Sequence, residues 1–263
     1  MPAAYRDKYG PWALVAGASE GIGAAFATEL ARRGLDLVLV ARRSAPLEEL
    51  AASLRASFGV QVRVAPIDLA SPSLLDELRA ATVGLEIGLL VYNAAAALIG
   101  PFLEQPLADK LRILDVNCRG PVILADELGR AMAQRGRGGI LVMASIAGAQ
   151  GTALITTYAA SKAFDLVLAE GLWDELRERG VDVLGCRAGA TRTPAYEKSR
   201  PAVESGPVME PHAVVVEALA ALGKRPSMVA GRFNGAVAFF MGRLISRRAA
   251  VVTMGRATRK MYR

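Results

Sequence analysis

The stretch "WALVAGASEGIG", residues 12–23, decides the fold. Its first half is continuously apolar, as a strand covered on both faces tends to be. Its second half carries Gly17, Gly21 and Gly23, and a helical pattern runs over residues 22–33. Strand, glycine turn and helix together open a βαβ unit. Glycines spaced G-x-x-x-G-x-G let the backbone turn tightly and approach an anion without Cβ interference, while the N–H groups of the helix start point at it. Any tight strand-to-helix turn can use glycines, so the cluster alone does not establish an anion site. Its place after the first strand favours a pyrophosphate cradle, with Ser19 and Ile22 inside it.

Outward from this unit the pattern repeats. "DLVLVA" (36–41), "VQVRVAPI" (60–67), "IGLLVYNA" (87–94), "GILVMAS" (139–145) and "VDVLGCRA" (181–188) read as buried strands. Helical patterns lie between them at 45–57, 72–81, 107–134 (two helices, broken near Asn117) and 156–179. Such alternation predicts an α/β fold: a Rossmann-like, doubly wound parallel sheet of about seven strands, in a single domain. Residues 12–187 form its core, and the four prolines of 190–211 mark a loop or lid. A helix over 212–222, a short seventh strand near 227–230 and a basic tail over 243–263 complete the chain.

Composition excludes several classes. At 263 residues, 52% hydrophobic and 22% charged, the chain can build a large core. Cys118 and Cys186 are far apart and show no ligand spacing, so neither a disulfide framework nor a metal site is expected. The start "MPAAYRDKYGPW" lacks the apolar region of a secretory leader, and no run approaches the ~18 apolar residues of a membrane span. A cytoplasmic protein is expected. Residues 243–263 hold six arginines, one lysine and no acid, which equals the whole net charge of +7. A solvated tail with no specific nucleic-acid partner is the favoured reading, while Phe239, Phe240, Leu244 and Ile245 beside Arg247 and Arg248 leave peripheral membrane contact open.

Chemistry gathers at the strand ends. After the second strand, Ala41 stands where a ribose-binding acid would repel a phosphate, and Arg42 and Arg43 follow. Guanidinium groups there suit a 2′-phosphate, so NADP(H) is preferred and NAD(H) remains open, Glu20 arguing the other way. Asp68 and Leu69 fall at the expected adenine edge. In "YAASK", Tyr158 and Lys162 share a helix face at i, i+4, thirteen residues beyond Ser145. Taken alone, that pair reads as surface decoration. His212, the only histidine, is incidental.

With these parts in order, the chain resembles the short-chain dehydrogenase/reductase family over about residues 12–193. Its T-G-x-x-x-G-x-G is matched from Ala16 to Gly23, and its N-N-A-G by Tyr92, Asn93, Ala94 and Ala95. Asn117, Ser145, Tyr158 and Lys162 match the family's reacting set, and Ala188, Gly189, Thr191 and Thr193 its P-G-x-x-x-T region. The resemblance implies that Tyr158 trades a proton with a carbonyl oxygen as hydride moves, with Lys162 lowering the phenol's pKa and holding the nicotinamide ribose. It implies that Ser145 binds the substrate oxygen, Asn117 anchors a relaying water, Asn93 and Ala94 support the cofactor, and Gly189 and Thr193 bracket the nicotinamide. Tyr92, Ala95 and Ala188 depart from the family pattern and put packing under the cofactor in question. The overall look is nearest the 17β-hydroxysteroid dehydrogenase and very-long-chain 3-oxoacyl-CoA reductase branch, which implies a hydrophobic ketone or secondary alcohol. A 3-oxoacyl-ACP reductase, a broad carbonyl reductase and a non-catalytic NADP-sensing scaffold stay open. Phe164, Leu168, Gly171 and Leu172 form an apolar seam through which relatives often pair, so a homodimer or homotetramer is expected.

Overall fold

In the computed structural model, which describes residues 2–199 and 206–262, each apolar segment becomes a strand and each amphipathic one a helix. In chain order the main elements are α1 (Pro2–Tyr9), β1 (Trp12–Ala16), α2 (Gly21–Arg32), β2 (Asp36–Val40), α3 (Ser44–Phe58), β3 (Val62–Ala65), α4 (Leu74–Thr82) and β4 (Ile87–Tyr92). There follow α5 (Leu107–Leu114), α6 (Gly120–Arg135), β5 (Gly138–Ser145), α7 (Thr156–Leu176), β6 (Val181–Ala188), α8 (Pro194–Ser199), α9 (Pro211–Ala221), β7 (Ser227–Val229), α10 (Arg232–Arg243) and α11 (Arg247–Tyr262). The strands are all parallel in the order β3-β2-β1-β4-β5-β6-β7. The winding reverses between β1 and β4, and a crevice opens there at the carboxyl ends of the strands.

The strands are apolar on both sides because both sides are covered. Leu14 and Ala16 pack with Leu78 of α4, Leu124 of α6 and Ala169 of α7. Ala13 and Val15 pack with Phe26 of α2, Leu47 of α3 and Val214 of α9. This two-layered burial is the main stabilising term, at about 25 cal/mol per Å² of apolar surface.

Four segments differ from the sequence expectation. The charged start forms α1, whose Tyr9 is buried and donates a 2.5 Å hydrogen bond to Asp182. Residues 107–134 are not broken at Asn117; α5 runs into α6 through a π-helical turn, Asp115–Arg119. The 190–211 segment contains α8, and a bridge between Thr191 and Met209 draws its ends together; residues 200–205 lie outside the described residues. The basic tail is helical and docked: α11 buries Ala250, Gly255 and Thr258, and Arg247 donates to the Ala149 carbonyl at 2.6 Å.

Candidate active site

A cleft of about 470 Å³ occupies the crevice. Its floor is the glycine loop. Gly17 and Gly21 have φ of +84° and +59°, which side chains of L-residues rarely adopt, and a Cβ on Gly23 would sit 1.9 Å from the Gly17 carbonyl oxygen. Glu20, the N-cap of α2, makes no side-chain capping bond, so the first N–H groups of the helix have no side chain covering them. A helix start left open in this way can cradle an anion. Asn93 fixes the glycine loop by donating from Nδ2 to the Gly17 carbonyl at 3.1 Å, and the Asn93 and Ala94 amides both donate to Ala16 at 2.9 Å. Across the cleft, Thr193 packs against Gly21, closing the loop after β6 onto the glycine loop.

Arg42, Arg43, Asp68 and Leu69 line one end of the cleft. Glu20 does not stand against a phosphate unneutralised, because Arg43 pairs with it at 2.7 Å. Arg42 enters no salt bridge among the described residues and lines the cleft. Asp68 is held by Arg112 at 2.8 and 2.9 Å, a partner the sequence reading missed. Burial works against its charge, but the Ala70 amide, Arg112 and Arg42 outweigh it and hold the carboxyl below its ordinary range.

At the other end, β5 delivers Ser145 and α7 delivers Tyr158 and Lys162 into the same cleft. Ser145 Oγ accepts from the Ala147 amide at 3.2 Å, which leaves its proton free to donate. A Cβ on Gly148 would come within 2.6 Å of the Ala163 amide, so this turn lies directly on α7. Lys162 is buried, with Nζ 6.0 Å from the centre of the Tyr158 ring. It donates to the Met143 carbonyl at 2.8 Å and to Asp165 at 2.9 Å. Burial disfavours the ammonium, but the Asp165 carboxylate and Tyr158 more than offset this and hold its pKa above the ordinary lysine value. Asp165 was also missed by the sequence reading, although an acid three residues after Lys162 shares its helix face.

Asn117 lies behind the cleft rather than in it. Its side chain is spent on the Ala96 amide (2.7 Å), the Ala96 carbonyl (2.9 Å) and Ser161 Oγ (2.8 Å), tying the π turn to the loop after β4 and to α7. Tyr92 also points away from the cleft. It is buried, and its hydroxyl donates at 2.5 Å to the Val116 carbonyl within the π turn. Gly120 makes room for it, since a Cβ there would lie 2.2 Å from the Tyr92 oxygen. Gly189 and Thr191 line the cleft at the end of β6, joined by a 3.1 Å bond from the Thr191 hydroxyl to the Gly189 carbonyl. Every other residue expected at the cofactor lines the cleft except Gly23, which supports the loop from behind. No cluster of three or more His, Cys, Asp or Glu suited to a metal occurs among the described residues.

Residues 11–204 match the short chain dehydrogenase family model. A 7beta-hydroxysteroid dehydrogenase from Clostridium sardiniense is 34% identical over 232 residues, covering 88% of this chain and 89% of that protein. The solved structure of a 7beta-hydroxysteroid dehydrogenase, from work on its stereoselectivity, superposes with a TM-score of 0.89 at 30% identity, over 95% of this chain and 98% of that one. A short-chain dehydrogenase from Sphingobium yanoikuyae, solved in complex with NADPH, gives 0.76 at 35% identity, over 84% and 87%. The chain belongs to the short-chain dehydrogenase family. It is an NAD(P)-dependent oxidoreductase that interconverts ketones and secondary alcohols.

Proposed function

We propose that this enzyme uses NADP(H) to interconvert a bulky, hydrophobic ketone of steroid-like shape and its alcohol, with Tyr158 as the proton donor. The observation that carries the reading is the convergence of Ser145, Tyr158 and Lys162 on one cleft with the anion cradle of α2. The cofactor supplies the hydride. Gly17, Ser19, Gly21 and Ile22 would hold its pyrophosphate, and Arg42 would take the 2′-phosphate. Ser145 donates to the substrate oxygen and stabilises the charge that grows there. Tyr158 delivers its proton to the same oxygen, and the Lys162 ammonium beside it stabilises the negative charge left on the phenol oxygen. Asn117 acts indirectly, by fixing the π turn against α7.

The 7beta-hydroxysteroid dehydrogenases and the NADPH complex among its relatives support the substrate class and the cofactor. The test is consumption of NADPH, against NADH, with steroid, acyl and aromatic ketones. Preference for bulky alicyclic ketones with NADPH is expected; turnover confined to linear acyl thioesters would reject the substrate class.

Two surfaces extend the reading. Leu107 and Leu111 of α5 and Phe164 and Val167 of α7 are exposed, and an apolar groove of about 450 Å³ runs along α7 past Gly171. A second copy of this chain would cover it, giving a homodimer or homotetramer, which light scattering at micromolar concentration tests. On α10, Phe233, Phe239, Phe240 and nearby Leu244 are exposed beside the basic α11. This suits peripheral contact with an anionic bilayer, and salt-sensitive pelleting with phosphatidylserine vesicles tests it. Among the described residues no helix is long and apolar enough to cross a membrane. The two unpaired cysteines suit a cytoplasmic setting.

A further inference from the structure

Lys162 and Asp165 are 3% and 0% exposed, and the 2.9 Å contact between them spends one of the carboxylate's two oxygens. The other, Oδ1, accepts no hydrogen bond. Burying a carboxylate with an orphaned oxygen is costly, and an apolar side chain would fill that space at lower cost. Burial raises the Asp165 carboxyl's pKa while Lys162 pulls it back, so a charge kept here needs an explanation beyond packing. An ammonium has three N–H bonds. Here one goes to Met143 and one to Asp165, which fixes the rotamer and leaves the third for the cleft.

The surroundings are sparse in charge. Tyr158 faces the pair from α7, Tyr92 from β4, and Cys118 from the π turn, where Arg119 acts on Tyr92; β5 contributes the Met143 carbonyl. Among the described residues, Asp165 is the one carboxylate in a salt bridge with Lys162.

We propose that Asp165 is a positioning residue of the reaction: it holds Lys162 as an aimed ammonium, and its negative charge opposes loss of the first proton from the Tyr158–Lys162 pair. This rests on the reading of Tyr158 as the proton donor. Asp165 repels a phenolate and stabilises an ammonium, so both effects keep the pair protonated, whichever group would lose the proton first.

The test is the alkaline limb of kcat/KM for ketone reduction with NADPH. In Asp165→Asn the limb should move to lower pH by about one unit, the size expected of one charge at this range in a protein interior. Asp165→Glu, which keeps the charge, should return the limb toward its parental position even where the rate is reduced. A limb unmoved in Asp165→Asn makes Asp165 a packing residue and overturns the proposal. If that variant does not fold, carbon NMR of the parental enzyme decides: the Asp165 carboxyl must stay ionised from about pH 6 to about pH 9, and a neutral carboxyl there overturns it. Tyr158→Phe run beside them separates the two ideas. Full turnover in that variant would sink the proton-donor reading itself, whereas unmoved Asp165 limbs beside an inactive Tyr158→Phe sink only this inference.

Discussion

The two ends of the sheet use the same residue types for opposite purposes. Where the strands begin, Gly88 and Gly139 leave gaps that α1 fills: added Cβ atoms would lie 2.5 Å from the Tyr9 carbonyl oxygen and 2.9 Å from the Tyr9 ring. The charges there are paired, with Tyr9 and Lys8 on Asp182, Arg6 on Asp36, Arg137 on Glu86, and Arg32 and Arg33 on Glu29. Where the strands end, Gly17 and Gly21 let the loops after β4 and β6 draw in around a cleft that stays open, and Arg42, Ser145 and Tyr158 face it. One end spends its polar groups on itself. The other keeps them for a ligand, so the first should govern stability and the second turnover.

Substitutions can break that division. Tyr9→Ala empties a buried site and should cost about 3–5 kcal/mol in urea unfolding, with kcat of the folded enzyme unchanged; a lost kcat would join the two ends functionally. Ser145→Ala should do the reverse, lowering kcat/KM by about 10²–10³-fold with the melting temperature held. Arg42→Ala should lower the preference for NADPH over NADH by about tenfold, the loss expected for one charge-assisted contact to phosphate. An unchanged preference would move phosphate recognition to Arg43 or Arg112. The smallest effect concerns Glu29, whose carboxyl is pulled from 4.5 to about 2 by hydrogen bonds from Arg32, against the opposing effect of burial and with help from Arg33. A depressed carboxyl stabilises the fold above its unfolded pKa, and that contribution is lost as pH falls from 4.5 through about 2. Glu29→Gln should flatten the acid slope of stability in that window, and a parental slope would remove Glu29 as its source.

The division also explains what could be read in advance. The cleft end was legible because its groups sit at fixed offsets from strand ends: the glycines after β1, Arg42 after β2, Ser145 closing β5, and Tyr158 with Lys162 one turn apart. Local spacing carries that information. The other end depends on contacts between distant segments, such as Tyr9 with Asp182, which no periodicity reveals. Arg112 meets Asp68 for the same reason, across 44 residues of chain. The docking of α11 was hidden because it buries small residues, Ala250, Gly255 and Thr258, which leave little apolar signal. Tyr92 was read as a disturbance beneath the cofactor, yet it is turned toward the π turn, in space that only Gly120 allows. Asp165 is the miss a closer reading of local spacing would have caught.

The central claim is that the Tyr158 hydroxyl supplies the proton. Single-turnover reduction of a bulky ketone by NADPH in Tyr158→Phe tests it most directly. The account predicts a rate lower by about 10²–10⁴-fold, with NADPH affinity and melting temperature near those of the parent. Reduction at the parental rate would contradict it.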